Sequence, residues 1–165
     1  MVKVKSLREE IIAFREQLNS PNKPDFSWAH TALLDFEDKE NYPIDFQIFM
    51  EEIGELSASS RREGGYQILY LEKPRTVEKP DFVNPHLFDA DIKDGLEING
   101  ASVSAQNVRL IATDVDMQFY GCNISKKPYE FFSILGVDWA GDSIIGVSFW
   151  SWFEKHMSDS IEYLR

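Results

Sequence analysis

Apolar positions recur along this chain at two spacings, and the change falls near Gly65. In "SLREEIIAFREQL", Leu7, Ile11, Phe14 and Leu18 lie three and four residues apart, which is one face of an α-helix. Ser6 and Glu9 have capping-box spacing at its start. "NSPNKP" ends that helix in a proline-containing turn. A second helix is expected from about Ser27 into "HTALLDFEDK", with Ala29, Ala32, Leu33 and Phe36 on its apolar side. A third is expected in "YPIDFQIFMEEIG". Pro43 suits its first turn, Asp45 sits near the positive helix end, and Phe46, Phe49, Met50 and Ile53 share a face. Gly54 can adopt the left-handed conformation that stops it.

After "SRREGG" the period shortens. "GGYQILYLE" sets Tyr66, Ile68 and Tyr70 against Gln67, Leu69 and Leu71, the alternation of a strand. "KPRTVEKPDFVNPHLFDADIKDGLEING" reads as a long loop, because its prolines argue against a central strand. "NVRLIATD" and "MQFYGCNI" read as two strands of a hairpin, and "YEFFSILG" as a further strand. "DWAGDS" reads as a turn. "SFWSWFEKHM" reads as a closing helix with Phe149, Trp152 and Phe153 clustered for burial. Helices, then strands, then a helix predict a single α+β domain with a mostly antiparallel central sheet, not a βαβ repeat. Residues 1–20 are expected to form an N-terminal helix packed on the domain, and residues 27–165 the domain itself.

Composition narrows the functions open to such a domain. The chain has 165 residues, enough for one real core, and its 43% apolar content argues against global disorder. Twelve Phe and four Trp predict a core of large rings, some of which could face a partner. Net charge is −11, which repels nucleic-acid phosphates and anionic membranes and is compatible with a basic protein partner. Cys122 is the one cysteine, so no internal disulfide forms, and a cytoplasmic location fits. No signal peptide is visible, and no apolar run approaches the roughly 20 residues that span a bilayer.

Complete catalytic constellations are not found. His30, His86 and His156 show no paired helical spacing, and there is no HExxH, CxxC, GxSxG or phosphate-loop motif. Cys122 alternates with Tyr120 and Ile124 as a core residue would. Asp114 and Asp116 are two apart and could share a divalent metal from one face of a strand, but the strand pattern ends there and Asp is a common turn residue, which favours a turn. Glu51 and Glu55 are four apart on the third expected helix, but no Glu-x-x-His accompanies them. "DADIKDGLEING" fails as a calcium loop: Lys93 stands at the third ligand position and Gly100 at the twelfth. Arg61 and Arg62, or Lys126 and Lys127, make no basic stripe for nucleic acid. No metal or cofactor is expected.

The order of several motifs resembles the SUKH superfamily, which includes bacterial toxin-immunity proteins and a fungal cell-wall assembly regulator family. "ENYPIDFQIFMEEIG" is similar to its N-terminal signature, with Tyr42 in place of the usual Leu before Pro43, and with Phe49 and Gly54 matching. "LIATDVDMQFYGCNI" resembles the family's strand pair. "SFWSWFEKHM" resembles its terminal helix, with Ser148 and Phe149 opening the segment and Phe153 inward. The likeness covers roughly residues 27–157. It implies a non-enzymatic binder, an immunity protein that binds and blocks a toxin nuclease. The alternatives are a regulatory or scaffold protein of the same fold, or a metal-dependent hydrolase using Asp114 and Asp116. For a binder, the acidic segment from Glu72 to Asp94 is the expected contact region, represented by Glu72, Glu78 and Asp81. Asp138, Trp139 and Asp142 of the "DWAGDS" turn come second.

Overall fold

The computed structural model describes residues 5–18, 26–31, 36–60, 67–76, 96–98, 100–114, 118–125, 130–135, 141–144 and 148–163. The first helix, α1 (Leu7–Leu18), starts where its capping box stands. Glu9 Oε2 accepts the Ser6 N–H at 2.8 Å, and Ser6 Oγ accepts the Glu9 N–H at 3.3 Å. Ile11 on its apolar face is wholly buried, and Leu7 and Phe14 pack beside it against the core.

The second expected helix is not formed at Ser27. Residues Phe26–Thr31 are a strand, β1, paired antiparallel with β2 (Glu55–Ser60) from Phe26↔Ser60 to Thr31↔Glu55. Phe, Trp and Thr favour the pleated backbone, and a partner strand overrides a weak helical spacing. That partner was not expected either. Leu56 and Ala58 are buried while Glu55, Ser57 and Ser59 are half-buried, so β2 does alternate, but with small residues that give little apolar signal. Its presence also moves Glu55 off the helix that carries Glu51.

Helix α2 (Ile44–Glu52) forms as its sequence predicts. Pro43 stands just before it with ψ 144°, and its carbonyl accepts the Gln47 N–H at 3.0 Å. Gly54 ends it at φ 83°, in the left-handed region, with its N–H on the Phe49 carbonyl at 3.1 Å.

Strand β3 (Gln67–Thr76) continues through Pro74, against expectation, and it is interior to the sheet. Pairing with β2 ends at Leu71, and the register against β6 (Val108–Asp114) shifts between Leu71 and Arg75. Pro74 therefore lies in an irregular stretch of the β3–β6 ladder and beyond the reach of β2. The end of the "long loop" is a strand, β4 (Leu96–Ile98), which pairs antiparallel with β5 (Ala101–Val103) just beyond it. β7 (Gln118–Asn123) and β8 (Glu130–Leu135) follow as expected. Of "DWAGDS", Gly141, Asp142 and Ser143 belong to a strand, β9 (Gly141–Ile144), rather than a turn. Helix α3 (Phe149–Tyr163) closes the fold.

The sheet order is β1-β2-β3-β6-β7-β8-β9-β4-β5. Every pairing is antiparallel except the single Ile98↔Gly141 bridge between β4 and β9. This is the α+β single domain that the sequence predicts.

The helices share one face of the sheet. Rings of α2 and α3 interlock edge to face there: Phe46–Phe149 at 5.0 Å and Phe49–Phe153 at 4.9 Å between centroids. Phe14 of α1 adds a 5.2 Å contact to Phe153. Arg8 pairs with Glu51 at 2.7 Å and with Glu52, and Arg15 pairs with Glu52 at 2.9 Å. Arg15 also donates to the Glu52 carbonyl at 3.2 Å, satisfying an acceptor at the C-terminal end of α2.

The other face of the central strands is buried as well. Tyr120 and Cys122 belong to the core under the helices, so the pleat turns Phe119 and Gly121 away from it. Val108, Leu110, Phe119 and Phe132 are all fully buried but stand outside that helix-side core. Gly121 lies opposite Phe132 in register. A methyl at Gly121 would stand 3.1 Å from the Arg109 carbonyl oxygen and 3.3 Å from the Phe132 ring.

Candidate functional site

The acid that opens α2 joins two helices rather than facing a cleft. Asp45 is buried, with 6% of its surface exposed. Its Oδ1 accepts the Phe46 N–H at 2.9 Å and its Oδ2 accepts the Trp150 N–H at 2.9 Å. One carboxylate thus serves the first turns of both α2 and α3, where unpaired N–H groups and helix dipoles favour negative charge. Ser148 completes the second cap, accepting the Ser151 N–H on Oγ at 3.2 Å. The conspicuous "YPIDFQIFMEEIG" segment is scaffold along its inner face.

The residues with chemical potential are similarly engaged. Burial, aided by the charge of Asp45, pushes the Cys122 thiol up to about 12, so almost no thiolate exists near neutrality. Burial likewise raises the Tyr42 hydroxyl, against an opposing pull from Arg109. Asp114 ends β6 and accepts the Tyr120 hydroxyl at 2.7 Å. Asp116, its proposed metal-sharing neighbour, lies outside the described residues. Glu51 is held by Arg8, and Glu55 accepts the Lys73 N–H at 3.1 Å. The His156 ring packs 5.3 Å from Trp152 and 5.7 Å from Tyr120. Among the described residues no group of three or more His, Cys, Asp or Glu is placed to hold a metal.

The six expected contact residues are not brought together by the described structure. Glu72 is half-buried on β3. The backbone of Asp142 runs in β9, opposite the register shift at Ser133/Ile134. Glu78, Asp81, Asp138 and Trp139 lie outside the described residues, as do both basic pairs.

A different surface has the makings of a contact site. Ile44, the first residue of α2, is 65% exposed, while Phe46, Phe49, Met50 and Ile53 are buried. Immediately before it, Glu37, Asp38 and Glu40 are exposed. Asp38 holds a left-handed backbone at φ 56°, ψ 26°, and its carbonyl accepts the Asn41 N–H at 2.8 Å, starting a short 3-10 turn over Lys39–Asn41. The turn stands on a firm base. The buried Tyr42 ring lies 5.4 Å from Phe36 and 5.5 Å from Phe46, and Gln47 Nε2 donates to the Tyr42 carbonyl at 2.7 Å. Three exposed acids therefore stand on a braced turn with the half-buried Lys39 among them, and the exposed Ile44 follows it in sequence at the start of α2. The sequence carried a signal for this: Ile44 is out of step with the 46/49/50/53 face.

No family profile, curated protein or solved structure matches this chain. Among the described residues no helix is long and apolar enough to cross a membrane.

Proposed function

We propose that this chain is a non-catalytic protein-binding module that docks a basic protein, and that it acts as an immunity protein of the SUKH type by blocking a toxin nuclease in the cytoplasm. The observation that carries the reading is Ile44, exposed just after the turn that bears Glu37, Asp38 and Glu40 and is braced by Tyr42. Interfaces concentrate their energy in an apolar anchor ringed by polar groups, and acids around it draw in a basic surface. Net charge of −11 extends that attraction beyond contact range. The left-handed Asp38 fits the same reading, because strained backbone persists where it presents side chains for a purpose.

The test uses a nuclease domain encoded beside the gene. Purified chain at equimolar ratio should stop that nuclease from cutting DNA, and association should slow as salt rises. Glu37→Lys with Glu40→Lys should slow association, whereas Ile44→Asp should speed dissociation. Undiminished cutting at tenfold excess of the chain, or variants that inhibit like the parent, would refute the proposal.

A further inference from the structure

Among the described residues strand β1 ends the sheet, and its outer edge differs from that of the other strands. It runs six residues, "FSWAHT", with no proline and no Asp, Glu, Lys or Arg. Its register against β2 is unbroken from Phe26↔Ser60 to Thr31↔Glu55, so no bulge turns the edge away. Successive strand residues point to opposite faces, yet Ala29 and His30 are both exposed. Neither face is therefore covered at that point. Among the described residues no strand pairs with the outer side of β1. Natural edge strands are guarded by lysine, proline, bulges or shortness, and β1 has none of these guards. The opposite edge, by contrast, is the three-residue β5.

We infer that the outer edge of β1 is an interaction surface whose occupant is β1 of a second copy, added antiparallel across a two-fold axis. Charge selects the occupant. With 28 acids against 17 bases, two copies repel over most of their surface. At this edge they do not, because β1 carries no formal charge and its neighbour β2, "ELSASS", carries only Glu55. Uncharged β1 offers nothing to draw in a basic strand either. The self-pairing is geometrically closed. A two-fold axis through Ala29 sets Ala29 opposite its own copy, Trp28 opposite His30 and Ser27 opposite Thr31, with no like charges opposed. The result is one continuous sheet through two molecules, held by main-chain hydrogen bonds.

This surface is separate from the acidic turn, and salt tells the two apart. Screening weakens attraction to a basic partner but relieves repulsion between two acidic copies. Sedimentation of the full chain from micromolar to near-millimolar concentration should show mass rising from 19.1 kDa toward twice that value. Raising salt from roughly 10 to 150 mM, which shortens the screening length from about 30 to 8 Å, should tighten association several-fold. Ala29→Lys or His30→Lys should weaken it at least tenfold while leaving the melting midpoint unchanged. Hydrogen exchange of the unaltered chain should show protection that grows with concentration in β1 amides alone. A mass fixed at that of one chain, a dimer indifferent to both lysine variants, or concentration-dependent protection elsewhere would overturn the inference. So would protection of β1 that arises only in complex with a basic protein.

Discussion

The Asp45 carboxylate accepts the backbone N–H of Trp150 across 105 residues of sequence. This bond ties the first turn of α2 to the first turn of α3, and the edge-to-face pair of Phe46 and Phe149 packs beside it. Asp45→Ala should remove the shared cap and leave two buried donors unmet, costing about 2–4 kcal/mol. Asp45→Asn retains an acceptor without the charge and should cost less. Urea unfolding of the three proteins measures both differences.

Phe49 has no exposed surface and meets the rings of Phe149, Trp150 and Phe153. Phe49→Ala should destabilise by about 3–5 kcal/mol, since the surrounding rings cannot close the cavity. A loss under about 1 kcal/mol in chemical denaturation would mean that the helices do not pack as described.

Gly121 and Phe132 make a matched pair on the opposite face of the sheet. Gly121→Ala should cost about 1–3 kcal/mol, because the added methyl meets both a carbonyl and the ring. Phe132→Leu in the same background should recover part of that loss. The signature is a double-mutant cycle with a coupling above about 0.5 kcal/mol.

Stability should fall on the alkaline side through Cys122. Its thiol ionises above about 9 when exposed and only near 12 in the folded protein. Between those values the unfolded chain releases a proton that the folded chain keeps, so stability drops as pH rises, by at most about 1.4 kcal/mol per pH unit for one group. Tyr42, also raised by burial, adds to the fall from about 10 upward. Cys122→Ala should therefore move the onset of the decline from about pH 9 to about 10, read from thermal melts across that range.

Three helices and the β6–β7–β8 run were legible because each carries large apolar residues at a spacing proper to its element. β1 and β2 were not. "ELSASS" hides its alternation in alanine and serine, and "FSWAHT" shares spacing with the residues that follow it; pairing makes them strands, β1 with β2 and β2 with β3 as well. The β4–β5 hairpin carries a local sequence signal, because Asn-Gly is the pair most favoured in tight hairpins and stands at 99–100, but the prolines upstream point to loop. At the acidic turn, Ile44 could be read as off-register, whereas the left-handed Asp38 could not, because nothing in a side chain's identity fixes its backbone there.

The Ile98↔Gly141 bridge governs the order in which the sheet can be built. β4 and β5 are translated between neighbours β3 and β6, yet their place is beyond β9, the last strand made. On the ribosome that hairpin must wait, formed or unformed, until nearly the whole domain has emerged. The far end of the sheet is thus a late, non-local closure, slow to form and open to wrong pairing until it does.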